Sequence, residues 1–175
     1  MDIGLVIIRI VIGSLFVGHG TQKLFGWFGG YGVGATGGFF EQLGYRWGPR
    51  MAVLTGLAEA GGGTFLALGF LTPFAAAAVI GVMLNAAIAV HLPKGIWNEQ
   101  GGFELPLVYA TAALGLAFVG PGRWAIDRWI GWSLTGIPWG VLAIALGLAV
   151  GLAVLATRRP PVAAEEEARE EPEAA

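Results

Sequence analysis

In the stretch GSLFVGHGTQKLFGWFGG, residues 13–30, His19 and Lys23 stand one helical turn apart. There an apolar helix runs out into glycine and aromatic residues. Arg9 lies further back in the same apolar run, and Glu59 sits inside the next one, in GLAEAGGGTF. A charge near the centre of a bilayer costs about 2.5–3.5 kcal/mol on an insertion scale. Such residues therefore serve as buried ion pairs or as groups that handle a proton or a ligand. Helix geometry turns Lys23 by about 40° and His19 by about 80° from Arg9, so one polar stripe can hold all three. Counting along two antiparallel helices leaves Arg9 and Glu59 about 7 Å apart axially. The expectation is an Arg9–Glu59 pair flooring a polar pocket.

The elements that must position these groups are membrane helices. Of the 175 residues, 55% are hydrophobic and 13% charged, and the mean hydropathy is +0.69. Soluble domains carry about 25% charge. Five apolar segments lie at about 3–21, 50–71, 74–92, 103–119 and 138–156, near the ~20 residues a helix needs to cross the hydrocarbon. The fold class is an all-α membrane protein: a four-helix transmembrane bundle plus a fifth, C-terminal transmembrane helix. The first helix does not read as a removable signal peptide, because Asp2 and Arg9 replace a basic leader and an unbroken apolar run. The formal net charge of −2 leaves no nucleic-acid footprint. The chain has no cysteine, which removes disulfides, thiol nucleophiles and thiolate metal sites.

Alternation of the helices brings His19, Lys23, His91, Lys94 and Glu104 to one membrane face. The candidate pocket is therefore Arg9, His19, Lys23, Glu59, His91 and Glu104, and the far helix ends offer little comparable chemistry. Two histidines on separate helices, with no ligand-spaced neighbours, argue against haem or a metal. Asn85 is in helical phase with Gly81, which suits an interhelical hydrogen bond. GVGATG, residues 32–37, matches a dinucleotide-loop pattern by chance, since no strand precedes it. Gly56, Ala60 and Gly63 form a small-residue stripe for close helix packing. Gly147 and Gly151 form a GxxxG pair suited to a partner helix, with which a homo-oligomer is compatible.

Loop 22–49 is rich in aromatics, and ATGGFFEQLG within it reads as a short amphipathic helix in the interface, stopped by Gly44. Thr72 and Pro73 suit the start of the third apolar helix. Residues 158–175 read as a disordered, solvated acidic tail.

The segments IIRIVIGSLFVGHGTQKLFGWFGG, GGFFEQLGY, LAEAGGGTFLALGFLTPFAA, VHLPKG and GGFELPLVYATAALGLAFVGPGRWAID, in this order, resemble the DoxX family. The resemblance covers about residues 3–127 and implies a four-helix membrane bundle. It implies residues 1–127 as the DoxX-like unit, with 128–157 an interfacial segment and extra helix. It links the chain to membrane redox and sulfur metabolism, because the family includes a subunit of thiosulfate:quinone oxidoreductase. The expected function is support of a respiratory or redox system. A quinone or a small oxyanion would bind in the pocket, with Arg9, His19 and Lys23 supplying positive charge, and a soluble or membrane redox subunit would be the partner. A small-solute carrier or channel and a structural anchor for a soluble enzyme are the rival readings. Lys23, Arg46, Arg50, Lys94, Arg158 and Arg159 on the pocket side, against Arg123 and Arg128 on the other, place the pocket face and C-terminus in the cytoplasm of a bacterial or archaeal cell.

Overall fold

A computed structural model describes residues 2–159. The disordered tail expected over 158–175 begins two residues too early, since Arg158 and Arg159 hydrogen-bond to Leu43 O and Gly44 O; its remainder, 160–175, lies outside the described residues. The long helices are α1 (Asp2–Phe25), α3 (Gly48–Leu68), α4 (Thr72–Ala86), α5 (Glu104–Val119) and α7 (Ile137–Leu155). Two shorter ones, α2 (Gly32–Gln42) and α6 (Ile126–Trp129), lie in the connections, and no strand occurs among the described residues. A π-helical turn, Ala87–His91, and a 3-10 turn, Leu92–Lys94, prolong α4. Among the described residues, four helices are long and apolar enough to cross a membrane: α1, α3, Thr72–Lys94 and α7. The helix α5 is apolar but shorter. It starts at Glu104, directly after a backbone turn closed by Phe103 N–H to Gly95 O and Glu104 N–H to Ile96 O.

α4 is the central helix, packing on α3, α5 and α7. The Phe16 ring meets Tyr109 edge-on, centroids 5.6 Å apart, and ties α1 to α5. The interior is built largely from small side chains such as Ala75, Ala76, Ala113, Ala117 and Ala143 around Phe16 and Leu66. In lipid, helices gain stability by close van der Waals approach, which small residues permit. The outward apolar residues, among them Ile7, Val11, Leu57, Leu107 and Val150, are the lipid-facing surface.

The most extensive helix pairing is between α1 and α3. A Cβ at Gly13 would strike Gly63 O and Ala67, and one at Gly20 would strike Ala60 N and Gly56 O. The stripe Gly56–Ala60–Gly63 is therefore the seam that receives α1. Gly147 and Gly151 likewise meet Ile80 and Gly81 of α4, so this GxxxG pair is used within the chain. Exposed Phe25, Trp27, Phe28 and Tyr31 form an aromatic girdle at one end of the bundle, and Trp124, Trp129 and Trp132 form another at the opposite end.

Candidate functional site

α1 continues past residue 21 to Phe25, so Lys23 is helical. Its Nζ lies 2.6 Å from Glu59 Oε2, with the carboxylate side chain only 4% exposed. Arg9 does not meet Glu59, which corrects the expected pairing. The glycine contacts fix the register: Gly13 lies level with the middle of Gly63–Ala67 and Gly20 with the middle of Gly56–Ala60. On that register Glu59 is level with His19 and Arg9 with Gly69, about 15 Å away along the axis. Sequence counting failed because it ended α1 too early and slid the two helices against each other.

Arg9 belongs to the opposite end of the bundle, which is not poor in chemistry as expected. Arg9 is 2% exposed, and its Nη2 donates to Trp124 O at 2.7 Å. Nε and Nη1 have no hydrogen-bond partner among the described residues. Gly69, at φ +63°, leaves the guanidinium its space, because a Cβ there would overlap Nη1. Asp127, 1% exposed, is the carboxylate whose charge acts on the Arg9 guanidinium, though the two make no direct contact. Its carboxylate also accepts Leu71 N–H at 2.8 Å, Thr72 N–H at 3.1 Å and the Thr72 hydroxyl at 2.9 Å. Asp127 thus caps α4 from a distant loop, and Thr72 is a donor rather than the cap. Sequence reasoning missed Asp127; the available signal was a lone aspartate in the apolar-aromatic run RWAIDRW.

His91 and Glu104 stay with their own turn. His91 Nδ1 donates to Gly101 O at 2.6 Å, and Glu104 Oε2 accepts Asn98 N–H at 2.9 Å. Neither makes a hydrogen bond to Lys23 or Glu59. They shape the α4–α5 connection at the same end of the bundle. Asn85 joins three elements: Nδ2 donates to Gly81 O at 3.0 Å and Gly151 O at 2.9 Å, and Oδ1 accepts the Tyr45 hydroxyl at 2.8 Å. Arg158 stacks over Tyr45 at 5.4 Å and donates from Nε to Leu43 O at 2.9 Å. The end of α7 is thereby strapped to the turn between α2 and α3.

A groove of about 580 Å³ runs along the outer side of the α1–α3 seam. Leu15, Val17, Ala67 and Leu68 give it apolar walls, and His19, Gln22 and Phe28 close its end. The Gln22 amide donates from Nε2 to Phe28 O at 3.2 Å, which turns Oε1 toward His19 Nδ1 at 3.1 Å. A carbonyl oxygen only accepts, so Nδ1 carries the proton and neutral His19 presents Nε2 as an acceptor. Protonated, the same ring would present Nε2–H as a donor. Among the described residues no group of three His, Asp or Glu side chains gathers as metal ligands do. The groove therefore offers a largely apolar slot, with Ser14 and Thr64 along it and the free Nε2 of His19 at its end.

Bundle, girdles and seam define an all-α, multi-pass membrane protein. The DoxX family model matches residues 4–92, and the chain belongs to the DoxX family. It is 32% identical over 131 residues to the uncharacterized membrane protein Rv3486 of Mycobacterium tuberculosis, covering 69% of this chain and 77% of the relative. It is also 32% identical over 127 residues to the inner membrane protein YqjF of Escherichia coli, covering 73% of this chain and 92% of that one. No solved structure matches the chain.

Proposed function

We propose that the protein serves a membrane redox or respiratory system by holding a quinone-class ligand in the α1–α3 groove. The observation that carries this reading is the pairing of an apolar slot with the free Nε2 of His19 at its end. The isoprenoid tail of a quinone matches the walls. A quinol hydroxyl can donate to neutral Nε2, and a quinone carbonyl can accept from the imidazolium. Lys23 is neutralised by Glu59 and Arg9 lies at the other end, so a small oxyanion would find little of the positive charge first assigned to it.

The test is solvent extraction of protein purified from its native membranes in mild detergent. The extract is expected to hold a quinone, identified by its absorbance change on borohydride reduction, and the His19→Phe protein is expected to hold much less. An extract without quinone from a protein that also fails to bind an added quinone analogue would refute the reading.

The same proposal places the groove's polar end and the C-terminus in the cytoplasm. Its support is the excess of Lys and Arg on that side, including Arg158 and Arg159 directly after α7. Alkaline phosphatase fused after Ala175 is expected to be inactive, and green fluorescent protein there to fluoresce. The reverse pattern would invert the assigned orientation.

A further inference from the structure

At the end of the bundle opposite His19, a recess of about 410 Å³ lies between the start of α1 and the segment 119–135. Asp2, Gly120, Gly122, Arg123, Arg128 and Thr135 line it. We propose that this recess binds the phosphate of an anionic glycerophospholipid.

Two arginines and a hydroxyl converge here. The Arg128 guanidinium and the Thr135 hydroxyl make no hydrogen bond to another described residue, and both border the recess. Arg123 is held only loosely by Asp2: Nε lies 3.8 Å from Oδ2, and the two side chains are 73% and 40% exposed. Its guanidinium also lies over the Trp124 ring, 5.4 Å from the centroid; an exposed ion pair of that length holds its partners weakly, so Arg123 can turn to a phosphate. Its backbone N–H, at 3.0 Å from Asp2 Oδ1, already fixes the carboxylate against the loop.

Depth argues for a lipid rather than a soluble anion. The recess is bounded by Asp2 at the first turn of α1 and Val119 at the last residue of α5, which is where a spanning helix meets the headgroups. Trp124, Trp129 and Trp132, together with Ile130 and Ile137, are exposed at the same end of the bundle. Indole rings prefer that layer, and apolar side chains beside the recess offer acyl chains a surface. A basic recess between helices at this level suits a phosphodiester with a net negative charge. A zwitterionic headgroup brings its own cation and gains less.

The test is native mass spectrometry of the full chain released from mixed phosphatidylglycerol and phosphatidylcholine micelles. The wild type is expected to retain one phosphatidylglycerol in preference to phosphatidylcholine. Arg128→Gln should reduce that retention about tenfold, the factor for the loss of one hydrogen bond to a charged phosphate. Lys94→Gln, at the other face, should leave it unchanged. Equal retention of the two lipids, or an Arg128→Gln protein that matches the wild type, would overturn the proposal. A second arm adds sodium phosphate to the protein in phosphatidylcholine nanodiscs and follows thermal unfolding. No shift is expected; a shift equal to that given by phosphatidylglycerol would make this a site for a soluble anion and would also overturn it.

Discussion

Lys23 Nζ sits 2.6 Å from Glu59 Oε2, reached from a helix that ends two residues later. The pair lies at the edge of the α1–α3 seam, where Gly20 is pressed against Ala60 and Gly56. Removing one member leaves the other stranded in a place with little water.

Glu59→Gln and Lys23→Gln should each lower stability. Breaking a buried pair from one side costs about 3–5 kcal/mol, and these substitutions should fall at or below the low end because Lys23 retains some exposure. The double variant should be milder than the two losses combined. Arg9→Gln with Glu59→Gln should instead be additive, since the residues lie at opposite ends. Thermal unfolding of the six proteins in one detergent measures both couplings. Coupling between Arg9 and Glu59 in place of Lys23 and Glu59 would refute the register.

Asp127→Ala should be among the most damaging single changes. It removes three hydrogen bonds from the start of α4 and leaves Arg9 without a counter-charge. The expected loss is about 3 kcal/mol, from buried donors at the start of α4 left without an acceptor. Asp127→Asn keeps an acceptor for the cap and should lose less. Gly69→Ala should also destabilise, because the new methyl group would meet Arg9 at a backbone angle that favours glycine. An Asp127→Ala protein that unfolds at the wild-type temperature would show that the loop does not hold α4.

Tyr45 links pH to stability outside the spans. Burial pushes its phenol above the ordinary value, with Arg158 opposing in part. The raised group is fully protonated in both states below the unfolded pKa near 10, so its contribution is intact there. As pH climbs above about 10 the unfolded chain ionises first, and stability falls until the folded pKa is passed. Tyr45→Phe should unfold earlier at pH 8, by about 1 kcal/mol for the lost bond to Asn85. It should also lose less than the wild type between pH 9 and pH 11, a window set by that pKa. Parallel wild-type and Tyr45→Phe curves over this window would contradict the assignment.

Much of the fold was legible because it rests on local signals. Apolar run lengths gave the helices, and the spacing of Gly56, Ala60 and Gly63 marked the face that α1 packs on. Asn85 was in phase with Gly81, its acceptor on the same helix, but its bonds to Gly151 and Tyr45 depend on tertiary packing. The candidate site was less legible because an ion pair depends on the axial offset of two helices. α1 runs four residues beyond its expected end and α3 starts two residues earlier, and this shift moved Glu59 from Lys23 to Arg9. Asp127 was hidden for a different reason: it caps a helix 55 residues away in sequence, and no local pattern reports that.

The central claim is that the groove end at His19 is the ligand site and that the Arg9–Asp127 end supports structure. The direct measurement is tryptophan-fluorescence quenching by a short-chain quinone analogue, titrated into the wild type, His19→Phe and Asp127→Asn in matched detergent. The account predicts that His19→Phe binds about tenfold more weakly, equivalent to about 1.4 kcal/mol. Asp127→Asn should unfold at a lower temperature yet bind as the wild type does below it. Equal affinity of the wild type and His19→Phe, or loss of affinity confined to Asp127→Asn, would contradict the account.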